Sequence, residues 1–248
     1  MNRSSLDPRW RGLFLAGAAG AVLTAACIPF QVLLFIAWPP PASRDVADWF
    51  GLFNGNPVRG LLSMDLVMMV EQVLLVPMVI ALWVVLRRGS ESLMALAAPL
   101  WLAGGFLFIG SNTAFEMLSL SRGYAAAATE AARAGYIAAG QAMLASYLDM
   151  GTGFVLGYIV SSVGGLLASV AMLRTPGWRA SGRVLLAGTV LGLCIFLPVV
   201  GIPLSLLSVL VLVVWYALVA VRLGRLAGLG RGVPSAPAQP AAVVLTQP

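Results

Sequence analysis

Residues 60–87, GLLSMDLVMMVEQVLLVPMVIALWVVLR, decide the fold class of this chain. About 20 consecutive apolar residues cross the hydrocarbon core of a bilayer as a helix, and this segment is long enough to do so. The remainder has the same character, because 60% of the 248 residues are apolar and only 10% are charged. A soluble domain carries roughly 25% charged residues. The sequence therefore predicts an all-α, polytopic helical membrane bundle.

The apolar segments predict six spans within a single transmembrane domain, residues 1–227. The predicted spans are residues 12–38, 60–86, 92–120, 150–173, 184–200 and 203–221. Residues 228–248 are rich in Pro, Gly and Ala, which predicts a disordered tail. With the N-terminus inside, 11 of the 15 basic residues, all arginine, fall in inner segments. Because cytoplasmic loops accumulate basic residues, both termini are predicted to be cytoplasmic.

Two outer segments are predicted to be helical. Residues 43–53 place three aromatic side chains beside two aspartates, which is typical of a short helix lying in the membrane interface. Residues 124–148 are rich in Ala and also favour a helix. This second segment either caps the outer face of the bundle or prolongs the fourth span.

The composition excludes several kinds of active site. The chain has no His and no Lys, so it cannot supply a Ser-His-Asp triad, an HExxH zinc site, a Walker A lysine or a Schiff base. Cys27 and Cys194 lie in apolar segments and are interpreted as packing residues. We expect no cofactor and no His/Cys metal site, although a divalent cation on carboxylates stays open. The arginines lie at the ends of spans, which favours the lipid bilayer as partner and not nucleic acid.

Four acidic residues are the best candidates for chemistry, because each falls within or at the end of a predicted span: Asp65, Glu71, Glu116 and Asp149. A charged side chain at the bilayer centre costs about 2.5–3.5 kcal/mol on insertion scales. These acids are therefore expected to face the bundle interior, to be protonated, or to lie in interfacial water. Glu71 is the deepest, roughly 16 Å below Gly60 at 1.5 Å per residue.

Helical spacing predicts which polar residues accompany these acids in a pocket. The expected pocket-lining residues are Met69 and Gln72 with Asp65, Asn112 and Ser119 with Glu116, and Thr152 with Asp149. We expect Asp65, Glu116 and Asp149 to line one outer cavity. Glu71 points about 120° away from Asp65 on an ideal helix and is expected to sit apart. Pro77 predicts a kink just below Glu71.

Small residues recur at every fourth position of the fourth span, at Gly153, Gly157, Ser161 and Gly165. This spacing lets another backbone approach closely in lipid. It favours packing within the bundle, with a homo-oligomer through the same face as the alternative.

Three segments carry a resemblance to a known family, namely residues 60–87, 93–120 and 146–174. In their order and hydrophobic pattern, with an aspartate opening the second and fourth spans, they resemble the bacterial six-span proteins filed under domain of unknown function 4386. The resemblance implies a multi-pass protein of the bacterial cytoplasmic membrane and no particular activity. Members of that family often carry His shortly after the second of these aspartates, where this chain has Gly151 and Thr152.

The layout is also similar to small membrane-bound terpene cyclases, in which acidic side chains protonate an alkene or an epoxide. Three function classes stay open. The first is a membrane enzyme acting on a lipid or isoprenoid, with Glu71 or Asp65 as proton donor. The second is a small carrier coupled to protons or cations, with the same acids as its ion site. The third is a structural or regulatory membrane protein without chemistry.

Overall fold

The computed structural model describes residues 8–228, and all regular structure in that range is helical. The α-helices are α1 (Arg11–Ala37), α2 (Val46–Gly55), α3 (Pro57–Ser63), α4 (Leu66–Ser111), α5 (Ala114–Ala126), α6 (Glu130–Leu148), α7 (Thr152–Arg174), α8 (Arg179–Leu193) and α9 (Gly201–Leu226). Short 3-10 turns precede α1 and follow α8. The predicted disordered tail falls on residues 229–248, outside the described residues.

Helix α4 contains a fold-back at Ser90, whose φ of −158° and ψ of 55° are not helical. Its two arms, residues 66–89 and 91–111, pack side by side in opposite directions. Gln72 on the first arm meets Gly105 on the second, and Val76 shares a crevice with Trp101. The arms are about 36 and 32 Å long at 1.5 Å per residue. They overlap the second and third predicted spans, residues 60–86 and 92–120, but the outer ends of those spans belong to α3 and α5, because the chain leaves the helix at Asp65 and after Ser111.

Six antiparallel helical segments form a closed ring. The order around the ring is α1, the first arm of α4, the second arm of α4, α7, α8 and α9, and α9 returns to α1. Glycines mark the close approaches, because a side chain there would meet the neighbouring helix. The facing pairs are Gly20 with Leu74, Gly104 with Ser161, Gly182 with Met172, Gly188 with Leu212, and Gly17 with Leu223.

The hydrophobic core fills the half of the ring nearest Ser90. Phe14, Met78, Leu82 and Leu223 are fully or almost fully buried there. Trp215 closes the core toward the middle of the ring, where it stacks on Trp101 with ring centroids 5.5 Å apart. Close packing in this half confines the larger cavities described below to the other half.

A separate layer of short helices covers the other end of the ring. This cap consists of α2, α3, α5 and α6, and its core contains Trp49, Phe50, Phe53 and Met117. The helix predicted over residues 43–53 is α2, but its aromatic side chains are buried in the cap instead of lying in the interface. Helix α6 is a cap helix and does not run on regularly into α7, because the chain breaks between them at Met150, where φ is +53°.

Five helical stretches in the described part of the chain are long and apolar enough to cross a membrane. They are residues 11–37, 66–126, 130–174, 179–196 and 203–226. Large apolar side chains are exposed on the outside of the ring, including Leu33, Phe106 and Leu210. Such a surface is suited to lipid, because in water a contiguous apolar face of this kind would promote association.

Candidate functional site

A cavity of about 440 Å³ lies inside the ring at its cap-side end. We call it the inner cavity. Helices α1, α4, α7 and α9 contribute most of its wall, and Asp65 and Ile195 complete it. Ligand pockets commonly measure about 300–1,000 Å³ and combine apolar walls with a few polar groups. The polar residues of this wall are Gln31, Asp65, Glu71, Gln72, Tyr158, Ser161, Ser205, Ser208 and Tyr216.

Glu71 lies on the first arm of α4, roughly 7.5 Å along the axis from Leu66 at 1.5 Å per residue. Its side chain is buried, with 8% of the residue exposed. Its Oε1 atom is buried and has no hydrogen-bond partner among the described residues. No arginine in residues 8–228 lines the inner cavity. Glu71 is therefore a buried carboxyl group without a compensating positive charge in the cavity wall.

Asp65 occupies the break between α3 and α4. Its φ of 62° and ψ of 29° lie in the left-handed region, which non-glycine residues rarely adopt. Its side chain does not cap α4. Instead, Oδ1 accepts a hydrogen bond of 2.8 Å from Gln31 Nε2 on α1, and Oδ2 accepts one of 2.8 Å from the Tyr147 hydroxyl on α6. The carboxylate thus joins the ring to the cap.

Asp65 and Glu71 line the same inner cavity, although helical spacing placed them about 120° apart. The reason is the left-handed residue itself. Asp65 precedes the first residue of α4, so the helical wheel does not fix the direction of its side chain. The break at residues 64–65 was not predicted, and the backbone angles at Pro77, where a kink is expected, are helical.

The other two candidate acids lie on the outside of the cap. Asp149 is exposed and forms an ion pair with Arg44, and Glu116 is exposed on α5. Neither lines a cavity with Asp65, so the expectation of one outer cavity shared by three acids does not match the structure. Both acids are exposed and lie near helix ends, and their location in interfacial water stays a prediction.

The five predicted companions are divided in the same way. Gln72 lines the inner cavity. Asn112 stabilises the end of α4, where its Nδ2 donates to the Met64 carbonyl over 2.9 Å and its Oδ1 accepts from the Ala114 amide. Met69 is half-buried away from the inner cavity, whereas Ser119 and Thr152 are exposed.

Sequence reasoning missed Gln31, Tyr147, Tyr158 and Tyr216. Gln31 was detectable, because it is an amide within a predicted span and a buried amide needs a partner. The three tyrosines could not be recognised as cavity residues from the sequence, because tyrosine is also common at membrane interfaces.

A second cavity of about 270 Å³ lies between the ring and the cap. We call it the vestibule. Ser111, Asn112, Ser146 and Tyr147 contribute polar atoms to its wall. Three residues line both cavities: Asp65, Phe108 and Phe154. Asp65 is therefore the polar group at the boundary between the vestibule and the inner cavity.

The small-residue face of α7 is used inside the chain. Gly153 packs against Ser111, Gly157 and Ser161 pack against Gly104, and Gly165 faces Thr189 on α8. These contacts are the packing within the bundle that the small-residue spacing favours.

No group of three or more His, Cys, Asp or Glu side chains that could hold a metal ion occurs within residues 8–228. The candidate site consequently has the chemistry of two carboxyl groups in a mainly apolar cavity. Comparisons of the chain with protein-family models, with curated proteins and with solved structures find no match.

Proposed function

We propose that this protein is an enzyme of the bacterial cytoplasmic membrane that protonates an unsaturated lipid or isoprenoid, with Glu71 as proton donor. The observation that carries the proposal is the Glu71 Oε1 atom, which is buried without a hydrogen-bond partner among the described residues, on the wall of the inner cavity. An apolar cavity favours the neutral form of a carboxyl group, which is the form that donates a proton.

The reaction class follows from what surrounds the donor. A proton from Glu71 adds to one carbon of a C=C bond, and the other carbon becomes a cation. Aromatic rings stabilise such cations through their faces. Phe108, Phe154 and Tyr158 line the cavity as a contiguous row, with successive ring centroids 5.8 Å apart. Ring closure or a shift then ends when a neighbouring carbon loses a proton to a water molecule, which carries it out of the cavity. The product is an isomer of the substrate, and Glu71 is left as a carboxylate.

The opening of the cavity supports a substrate that is dissolved in lipid. Val32 on α1 and Leu206 on α9 line the cavity and are also 51% and 63% exposed. Both residues lie on the apolar outer surface of the ring. A hydrophobic molecule in the bilayer could therefore reach the cavity between these two helices without passing through water.

The proposal includes the membrane topology. The two arms of α4 count as separate crossings, so the ring crosses six times with both termini inside. Nine arginines lie toward the Ser90 end of the ring, and Arg44, Arg59, Arg122 and Arg133 lie in the cap. The bias toward basic residues on the cytoplasmic side places the cap outside. The proposal also draws on the likeness to the six-span bacterial family and to membrane-bound terpene cyclases. That likeness lies in the order and hydrophobic pattern of the spans.

Deuterium incorporation tests the proposed reaction. Membranes containing the protein are incubated in D₂O with unsaturated isoprenoid alcohols and their epoxides, and the extracted lipids are analysed by mass spectrometry. We expect an isomer that has gained one carbon-bound deuterium in place of one hydrogen. Glu71→Gln should reduce its formation by at least about a hundredfold, the low end for general acid catalysis. Glu116→Gln, on the exposed cap surface, is the matched control.

A second candidate is a carrier coupled to protons or cations. It is favoured by Asp65 and Glu71 facing one cavity that adjoins the vestibule. Proteoliposomes distinguish the two functions. A carrier would move protons or a monovalent cation across the bilayer in a manner that Glu71→Gln abolishes, and no isomer would form. A protein indifferent to Glu71→Gln in both assays would have a structural or regulatory role.

A further inference from the structure

We propose that Asp65 relays protons from the vestibule to Glu71, so that the donor is recharged from the cap side of the ring. This inference rests on the proposed role of Glu71 as proton donor. After each protonation of a substrate, Glu71 is left as a carboxylate in the inner cavity. It needs a proton before the next turnover, and the lipid that delivers the substrate carries none.

The geometry offers one polar boundary between the donor and the cap. Asp65 is the titratable residue that lines both the vestibule and the inner cavity among the described residues, and the other shared residues are Phe108 and Phe154. A proton that passes between the cavities by this boundary therefore meets the Asp65 carboxyl group.

The two hydrogen bonds of Asp65 point to opposite sides of this boundary. Oδ1 accepts from Gln31, which lines the inner cavity, and Oδ2 accepts from Tyr147, which lines the vestibule. The Tyr147 hydroxyl has a second acceptor, the Ser63 carbonyl, at 3.3 Å. Since a hydroxyl group has one hydrogen, Tyr147 can turn to Ser63 and leave Oδ2 free to receive a proton from the vestibule.

The relay consists of two proton transfers, after which Asp65 is again a carboxylate. Asp65 takes a proton at Oδ2 from vestibule water. Its carboxyl group then turns about the Cβ–Cγ bond, which releases the Gln31 hydrogen bond, and gives the same proton to the Glu71 carboxylate across the inner cavity. Asp65 returns to its carboxylate form and regains the Tyr147 hydrogen bond. The left-handed backbone at Asp65 is the feature that turns its side chain toward both cavities, because a helical residue would follow the face of α4.

Hydrogen–deuterium exchange at Glu71 tests the relay without a substrate. Purified protein in lipid nanodiscs is transferred from H₂O to D₂O, and the infrared carbonyl band that is absent in Glu71→Gln is followed as it shifts. Asp65→Asn keeps the size of the side chain, and we expect it to slow this exchange at least tenfold. This lower bound is set one order of magnitude under the roughly 10²–10⁴-fold effects of general acid–base groups. Asp48→Asn in the cap should exchange at the wild-type rate.

Rescue separates a relay from a structural role. In Asp65→Ala, added formic acid, a small proton donor, should restore the exchange rate at Glu71, whereas sodium chloride at the same concentration should not. In a variant with both native cysteines replaced by alanine, Ser146→Cys lets a bulky thiol reagent block the vestibule, and exchange should slow after labelling.

The outcomes distinguish the two proposals. An unchanged exchange rate in both Asp65 variants would overturn the relay and leave Glu71 as donor intact. Slow exchange that formic acid does not restore would also overturn the relay, because it would indicate a structural effect of Asp65. The absence of any carbonyl band from Glu71 in the wild-type protein would overturn the donor role and the relay together.

Discussion

Replacing Glu71 by leucine should stabilise the protein while removing its proposed activity. Glu71 is 8% exposed, and its Oε1 atom is buried without a hydrogen-bond partner among the described residues. An unsatisfied buried polar group costs about 1–3 kcal/mol. Leucine carries no polar atom and is close to glutamate in length, so it removes that cost without overpacking the wall. We expect the free energy of unfolding of Glu71→Leu to rise by about 1–3 kcal/mol.

Thermal unfolding of the nanodisc-embedded protein, followed by circular dichroism, measures this effect. At roughly 2–4 °C per kcal/mol for a chain of this size, Tm should rise by about 2–12 °C. Glu116→Leu is the matched control, because Glu116 is exposed and a surface substitution usually changes stability by less than about 0.5 kcal/mol. A gain in stability with loss of activity marks a site that is maintained for function.

The opposite result would refute the reasoning. If Glu71→Leu lowered Tm while Glu116→Leu did not, Glu71 would have a partner that stabilises it. The description of an unsatisfied carboxyl group on the cavity wall would then be wrong. Glu71→Gln distinguishes the two cases further, because it keeps polar atoms and should leave Tm near the wild-type value.

Three further predictions concern topology and packing. In whole cells, a membrane-impermeant thiol reagent should label Gly55→Cys in the cap and should label Gly89→Cys beside the fold-back only after cell lysis; the reverse pattern would invert the topology. Gly104→Val should lower the free energy of unfolding by about 1–3 kcal/mol or more, because its Cβ would meet backbone atoms of α7, whereas Gly110→Val, with open space around it, should cost much less. Trp49→Ala should destabilise the protein by about 3–5 kcal/mol, as expected for a large side chain that is 1% exposed; a change below 1 kcal/mol in chemical unfolding would mean that the cap does not contribute to folding.

The sequence predicted helices well and interruptions poorly. Apolar runs located the helices of the ring, since burial in lipid requires about 20 apolar residues whatever their order, but the third and fifth predicted spans, residues 92–120 and 184–200, run past the ends of α4 and α8. The fold-back at Ser90 falls between the second and third predicted spans, residues 60–86 and 92–120, whereas the break at Asp65 was not predicted, because it depends on the backbone angles of one residue, which hydropathy does not report. The backbone angles at Pro77 are helical, and the kink there stays a prediction. A proline in a membrane helix is tolerated when neighbouring groups satisfy the freed carbonyl.

Three of the residues named from the sequence, Asp65, Glu71 and Gln72, line the inner cavity. Glu71 could be assigned to the interior of the bundle because it lies well inside its predicted span, too far from the span ends to reach water. Glu116 and Asp149 lie near the ends of their predicted spans, so burial did not follow for them. The pairing of Asp65 with Gln31 and Tyr147 joins residues 34 and 82 positions apart. Such contacts depend on which helices are neighbours in the ring, and a single sequence does not contain that information.

The closure of the ring by its first and last helices has a consequence for biogenesis. The wall between residues 205 and 216 is made last, since a chain is synthesised and inserted from its N-terminus. Until α9 enters between α8 and α1, Asp65 and Glu71 have no enclosed cavity and face the insertion machinery or lipid. A carboxyl group exposed in the bilayer raises the free energy of the inserted chain. A chain truncated before α9 would therefore be a less stable membrane protein and a substrate for membrane proteases.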